Sequence, residues 1–233
     1  MRKHFFRSLV VILCVLFACT ACQSPTNAKE TKPATKVDLE IVYKKNQICY
    51  SIMTQGSNTT LYTFNAAAQP IFDLNGKSAT ATDLEPGMLV SLEYDGYILE
   101  TYPAQFSGVS SIRVTGVDAN SVEFLGSLIS GMFPSATPEE VARWEITFSG
   151  DDFLSEKEKR ALEYKIQEEW TDANVFVDPD ETRTKRTGHI KIDVQKGEDN
   201  TVQLTIRVDS VVQDPAERKM TVLLSDGKWT MGH

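Results

Sequence analysis

Two stretches of this chain, residues 37–125 and 144–231, are dominated by apolar side chains that alternate with polar ones, in short runs separated by Gly, Asn, Asp and Pro. Alternation with period two gives a strand one buried and one exposed face, so this pattern commits most of the chain to sheet. Val37, Leu39, Ile41 and Tyr43 alternate ahead of a Lys44-Lys45-Asn46 turn, and Ile48 to Met53, Thr60 to Phe64 and Met88 to Tyr94 repeat the theme. Tyr94-Asp95-Gly96-Tyr97 reads as a type I′ hairpin, because Asp-Gly accepts the positive φ angles that turn requires. The register would set Tyr94 against Tyr97, Leu92 against Leu99 and Val90 against Thr101. Several short strands without a long helix predict a small β-barrel over 37–125.

The second stretch has a different texture. Trp144 to Phe148 alternates, and Ser155-Glu156-Lys157-Glu158 is a capping box that opens a helix. Ala161, Leu162, Ile166 and Trp170 give that helix a narrow apolar stripe. Its oppositely charged residues four apart (Glu156 with Arg160, Lys159 with Glu163, Lys165 with Glu169) read as a solvated face. Ile190, Ile192 and Val194 then alternate, as do Val202, Leu204, Ile206 and Val208, and Met220, Val222 and Leu224. A second Asp-Gly turn, Asp226-Gly227, sets Leu224 against Trp229 and Val222 against Met231. The expectation for 144–233 is an α+β domain with one helix on an antiparallel sheet, in the order of cystatin-like and NTF2-like folds. Between the two domains, Gly126, Gly131, Pro134 and Pro138 mark 126–143 as a junction, with another capping box at Thr137-Pro138-Glu139-Glu140.

The N-terminus bears on location. Arg2, Lys3 and Arg7 precede an uncharged run of eleven residues, Ser8 to Ala18. That run is shorter than the roughly 20 residues needed to span a bilayer, and reads as the apolar core of a signal peptide over 1–18. Leu16-Phe17-Ala18-Cys19 resembles the lipobox of bacterial lipoproteins, with Cys22 as the alternative lipidated cysteine after Thr20-Ala21. In that family the cysteine is diacylated and becomes the new N-terminus, which implies an anchor on the outer face of the cytoplasmic membrane. Each buried methylene adds about 0.8 kcal/mol, so two chains hold where one is marginal. Residues 19–36 lack any large apolar residue after Cys22 and read as a flexible tether. Losing Arg2, Lys3 and Arg7 leaves 21 basic against 32 acidic side chains, a net charge of −11. Such a body is an unlikely nucleic-acid binder and favours basic partners.

The run Asp83-Leu84-Glu85-Pro86-Gly87, then Val90, Tyr94-Asp95-Gly96 and Glu100-Thr101-Tyr102-Pro103-Ala104-Gln105, resembles the YobA-like lipoprotein domain of unknown function over roughly 38–117. The resemblance implies an OB-like barrel and brings no assigned activity. Barrels of that type bind extended polymers across one face, and Tyr43, Tyr50, Tyr62, Tyr97 and Tyr102 are the candidate stacking platforms; as amphipathic barrel residues they need no ligand. Scattered Lys44, Lys45, Lys77 and Arg113 do not make the basic track that single-stranded nucleic acid requires.

Catalytic patterns are scarce. After Cys14 leaves with the signal and one cysteine takes the lipid, Cys49 reads as a free buried thiol, a disulfide to Cys22 being the formal alternative. His189 and His233 are too few for a zinc site, no Gly-x-Ser-x-Gly elbow accompanies them, and a cystatin-type Gln-x-Val-x-Gly is missing. Glu139-Glu140, Asp151-Asp152 and Asp178-Pro179-Asp180-Glu181 lack EF-hand spacing and read as caps or solvated turns. The sequence thus predicts a non-enzymatic, cofactor-free, metal-free envelope lipoprotein with an accessory or ligand-binding role; it does not name the ligand, for which a cell-wall polymer, a peptide or an envelope protein are the candidates. A regulator or recruiter of a protein partner, and a carboxylate-dependent hydrolase, are the alternatives.

Overall fold

The first alternating run forms β1 (Thr35–Lys45), which turns at Asn46, φ 57°, into β2 (Ile48–Met53). The computed structural model describes residues 34–131, 141–170, 173–180, 187–210 and 213–232. The signal segment, Cys19, Cys22, the Thr137–Glu140 capping box, Glu181 and His233 lie outside the described residues. Within the segment read as a tether to residue 36, Thr35 pairs with Tyr94 and Lys36 with Glu93, and Lys36 Nζ is 3.1 Å from the Glu93 carboxylate.

A bulge in β1 decides how the layers are built. The β1–β2 register slips between Ile41 and Tyr43, so Leu39 and Ile41 bury on one face while Val42 and Tyr43 join a different core. An extra residue in one strand twists it and re-aims the side chains beyond it; strict alternation would keep Tyr43 in phase with Ile41. In β2, Tyr50 and Ile52 belong to the core of Tyr43, whereas Cys49 lies in the core of Ile41. The strand is covered on both faces, which explains its nearly continuous apolar run.

The remaining strands of this sheet are β3 (Tyr62–Asn65), β4 (Ile71–Phe72), β5 (Ser78–Ala79), β6 (Met88–Tyr94), β7 (Ile98–Leu99), β8 (Ala104–Phe106) and β9 (Ser111–Val117). Their spatial order is β5-β4-β9-β6-β1-β2-β3-β8-β7. The sheet curls around its own core of Leu39, Ile41, Phe64, Val90, Leu92 and Ile112. One expected hairpin does not form. β6 is flanked by β1 and β9, where Leu92 meets Val37 and Ile112, and among the described residues β7 pairs only with β8. Both edges of β6 are occupied, so the chain leaving Tyr94 must swing away.

Helix α1 (Ser121–Ser130) occupies the start of the expected junction. Val122, Leu125 and Ile129 bury at helical spacing, and Gly126, expected to break the pattern, sits where the stem of Lys165 crosses: a Cβ there would lie 2.4 Å from Lys165 Cε. Helix α2 (Glu156–Glu169) begins at the expected capping box, with the Ser155 side chain accepting from Glu158 N–H. Ala161, Leu162 and Ile166 are buried as the stripe predicts, but Lys165 is buried too. Of the expected pairs only Lys165–Glu169 forms, at 3.1 Å; Glu156 turns to Lys159, Lys159 also to Asp178, and Arg160 to Glu163.

The second sheet comprises β10 (Arg143–Gly150), β11 (Asn174–Val177), β12 (Thr187–Lys196), β13 (Thr201–Ser210), β14 (Gln213–Ser225) and β15 (Lys228–Met231), ordered β11-β10-β12-β13-β14-β15. It is not wholly antiparallel, because β10 runs parallel to both β11 and β12. Helix α2 carries the chain over the sheet between β10 and β11, and such a crossover delivers the next strand in parallel. The β12–β13–β14–β15 meander is antiparallel, and Asp226-Gly227 sets Leu224 against Trp229 and Val222 against Met231 as expected.

The protein is therefore mainly β, with two curled sheets and, among the described residues, two α-helices. The helices lie between the sheets: Val42, Tyr43, Tyr50, Ile52 and Leu61 share one core with α1, α2 and the inner face of the second sheet. No helix among the described residues is long and apolar enough to cross a membrane.

Candidate functional site

Three of the five platform tyrosines come together, around a residue the sequence did not single out. Tyr43 and Tyr50 face each other across β1 and β2 and stack at 4.1 Å. Tyr164 of α2 adds a third ring 5.9 Å from Tyr50, and Tyr102 a fourth, edge-on, 5.6 Å from Tyr164. This ladder runs from the core outward, since Tyr43 is buried and Tyr102 is 70% exposed. Tyr164 sits two residues past Leu162, off the apolar stripe, which is why periodicity alone passes over it.

The ladder's chemistry is that of neutral phenols. Burial, and then the Glu168 carboxylate, push Tyr50 up to about 12 and raise Tyr43 as well. Burial also raises Tyr164 and Tyr102, reinforced by Glu168 and Glu163 respectively. None of the four is a phenolate near neutral pH, so the ladder offers aromatic surface and hydrogen bonds but no nucleophile or base. Tyr50 donates its hydroxyl to Glu168 Oε1 at 3.2 Å, while the buried Tyr43 hydroxyl has no partner among the described residues. Lys165 Nζ sits 5.4 Å from the Tyr43 ring, 3.4 Å from Glu123 and 3.1 Å from Glu169, which ties the ladder's inner end to both helices.

Tyr62 and Tyr97 stand apart. Tyr62 is buried in the first sheet's own core, stacked on Phe106 at 5.2 Å, with Asn58 donating to its hydroxyl. Tyr97 is 62% exposed at the corner before β7. Leu99, at 47%, and Tyr102 are exposed too, so the segment that carries the outermost strand of the sheet has three exposed apolar side chains. The five residues therefore do not line one open face: three are buried, and two stand at an edge.

The other residues singled out in the sequence are mostly committed to structure. Cys49 is free and buried, its thiol pushed up to about 12 by burial against the opposing pull of Lys44. Asp151 accepts from Lys196 N–H at 2.7 Å, and Asp178 from Phe148 N–H at 2.9 Å while pairing with Lys159. Both are loop anchors. Among the described residues no cluster of three His, Cys, Asp or Glu side chains is placed to hold a metal ion.

Two further electrostatic features were not singled out. Glu145 on β10 is fully buried, accepts from Arg143 Nε at 2.6 Å and lies 3.5 Å from His189 Nδ1. Arg143 is stacked on Phe176 at 3.7 Å, and His189 lines a depression of about 360 Å³ together with Lys191, Arg207 and Asp209. Glu40 on β1 lines a larger depression, about 510 Å³, shared with Ile52, Ser57, Ser155 and Lys157. In the sequence Glu40 is the polar residue between Leu39 and Ile41, and alternation assigns it to solvent.

No family model matches the chain, and neither a curated protein nor a solved structure matches it.

Proposed function

We propose that this is an exported, lipid-anchored, non-enzymatic protein of the cell envelope that binds a basic, extended segment of an envelope protein along the edge at β7. The carrying observation is the exposure of Tyr97, Leu99 and Tyr102 on the segment of β7, a strand whose outer side has no hydrogen-bonded neighbouring strand among the described residues. An open edge offers backbone donors and acceptors to an added strand, and flanking apolar side chains supply pockets for alternate residues. The mature charge of −11 favours a basic segment. Burial of Tyr43, Tyr50 and Tyr62 removes most of the aromatic surface a cell-wall polymer would stack on, and so weighs against the polymer reading. The neutral ladder and the structural commitments of Asp151 and Asp178 weigh against a carboxylate hydrolase in the second half of the chain.

Localisation rests on Cys19, or Cys22, receiving the lipid. The likeness to YobA-like lipoproteins supports the same placement and, with the curl of the first sheet, an OB-type barrel over 37–125. The parallel pairing of β10 departs from a cystatin-like order.

A photo-reactive amino acid placed at Leu99 or Tyr102 of the full chain, in intact cells, should give one discrete protein adduct. The same probe at Leu74, 57% exposed in the turn between β4 and β5, should not. Equal labelling from all three positions, or none, defeats the edge-docking reading. A shift of the unfolding midpoint by a cell-wall oligosaccharide would restore the polymer reading instead.

A further inference from the structure

Four strands of the first sheet bring polar side chains together on its outer face. Ser91 and Glu93 on β6 and Ser111 and Arg113 on β9 occupy the polar phase of their strands, paired as Ser91 with Arg113 and Glu93 with Ser111. β1 adds Lys36 beside Glu93, and β4 adds Phe72 beside Arg113. With Pro70, these side chains line one depression of about 350 Å³.

Glu93 is the one acid of that lining, and it is engaged: Lys36 Nζ lies 3.1 Å from Oε1, and Ser111 donates to Oε2 at 2.9 Å. Arg113 has no carboxylate within ion-pair distance among the described residues, although the chain carries 32 acidic side chains against 24 basic ones. Asp73 belongs to the turn beside it, where a Cβ on Gly76 would lie 3.6 Å from Arg113 Nη1. Its Oδ1 accepts instead from the Asn75 and Lys77 N–H groups, at 2.9 and 2.8 Å. The Arg113 guanidinium sits over the Phe72 ring, 4.8 Å from its centroid. Stacking holds the planar fork of donors in one orientation without occupying it. The Ser91 hydroxyl, on the residue opposite Arg113, makes no hydrogen bond among the described residues.

We propose that this depression binds a phosphodiester group, with Arg113 as its principal ligand and Phe72 as the residue that positions the guanidinium. Lys36 and Arg113 against Glu93 leave the lining a net charge of +1, which matches the single negative charge of a diester. The two unesterified oxygens fit the guanidinium fork side by side. A carboxylate would also fit the fork, but it has no third oxygen to offer the Ser91 hydroxyl or the Lys36 ammonium. A phosphodiester has two ester oxygens for them, and Pro70 and Phe72 supply an apolar wall for an ester arm. One guanidinium reads one such group, which is not the basic track that single-stranded nucleic acid needs. The inference does not depend on what docks at β7.

Titration of the full chain with glycerophosphoglycerol, following the Arg113 Nε–H and the Ser91 and Ser111 amides by NMR, tests this. All three signals should shift together and saturate at millimolar ligand, and acetate at the same concentrations should move none of them. Arg113→Lys keeps the charge but loses the fork and should weaken binding roughly tenfold. Arg113→Gln should abolish saturation; because Arg113 is exposed, the variant should keep the wild-type far-UV circular dichroism. Should it not fold, Arg113→Lys decides. Phe72→Leu should weaken binding by about threefold, and Phe72→Tyr, which keeps the ring, should not. Phosphatidylglycerol bicelles separate the sources: a response to them alone supports a lipid headgroup, and a response to the soluble diester supports a free ligand. No saturable shift with either probe, an equal response to acetate, or wild-type binding by the Arg113 variants overturns the proposal.

Discussion

The dipeptide Asp-Gly occurs twice at the end of a strand in this chain, and the two copies behave differently. At Asp226-Gly227 both residues take positive φ, 51° and 73°, and β14 folds back on β15 in the register the turn dictates. At Asp95-Gly96 only Gly96 is positive, at 85°, and β6 does not pair with β7. A type I′ turn needs both positive angles, and it also needs a free strand edge to return to. β14 has that edge, whereas β6 is held by β1 and β9. Asp95 becomes a corner brace instead: Oδ1 accepts from Tyr97 N–H at 2.9 Å and Oδ2 from the Ser107 hydroxyl at 3.2 Å. That corner leaves Tyr97 and Leu99 exposed, so the apolar surface proposed for docking results from the failed hairpin.

The largest effect separating the two turns should come from alanine at their glycines. The Asp226-Gly227 tip is docked: Gly227 O accepts from Asn120 N–H at 3.0 Å, and a Cβ at Gly227 would lie 2.4 Å from Val117 Cγ1 and 2.6 Å from Asp118 O. Backbone strain and overlap together should make Gly227→Ala cost about 3 kcal/mol in urea unfolding. Gly96→Ala meets the backbone strain of a positive φ, 85°, and should cost about 1 kcal/mol. Equal losses would mean that the second turn's docking contributes nothing.

A middle-sized effect tests the docking directly. Asn120 Oδ1 accepts from Trp229 N–H at 2.9 Å, and the Trp229 indole donates to Ser121 Oγ at 3.0 Å. Asn120→Ala leaves the half-buried Trp229 N–H without that acceptor, and should lower stability by about 1–2 kcal/mol, again by urea unfolding. It should also speed hydrogen exchange in β15 more than in β7. Uniform exchange across both strands would show that the hairpin is held by its own turn and not by its seat on α1.

The two turns also show how far the sequence can be read. Local signals succeed where one element supplies its own constraint: the Ser155–Glu158 capping box, the Leu162–Ile166 stripe and the Asp226-Gly227 register need no knowledge of distant neighbours. They fail where occupancy at a distance decides. The slip after Ile41 that sends Tyr43 to a second core is invisible to alternation, and so is the parallel fit of β10 between β11 and β12. Helix α1 has a legible pattern in Val122, Leu125 and Ile129, but Gly126 reads as a break because nothing local shows that the Lys165 stem needs the space. The candidate site suffers most. Tyr43, Tyr50 and Tyr102 are identified by residue type, yet the ladder they form depends on Tyr164, 62 residues beyond Tyr102 in the chain. Glu40 and Glu145 each sit at a polar phase of an alternating strand, and only the opposing layer or neighbouring strand makes them unusual.

The smallest effect, and the finest test of the comparison, comes from exchanging the aspartates for asparagine. Asn tolerates positive φ at least as well as Asp, so Asp226→Asn should leave stability unchanged or raise it by a few tenths of a kcal/mol, about 0.3. At Asp95 the side chain is used as a double acceptor and φ is not positive. An amide can accept from only one of the two donors, Tyr97 N–H or the Ser107 hydroxyl, so Asp95→Asn should cost about 0.5–1 kcal/mol. Opposite signs for the same substitution would establish that one Asp-Gly is a turn set by its backbone angles and the other a corner held by its side chain. Matching signs would mean that the corner, too, is set by backbone conformation, and that Tyr97 and Leu99 would be thrown outward without Asp95's help.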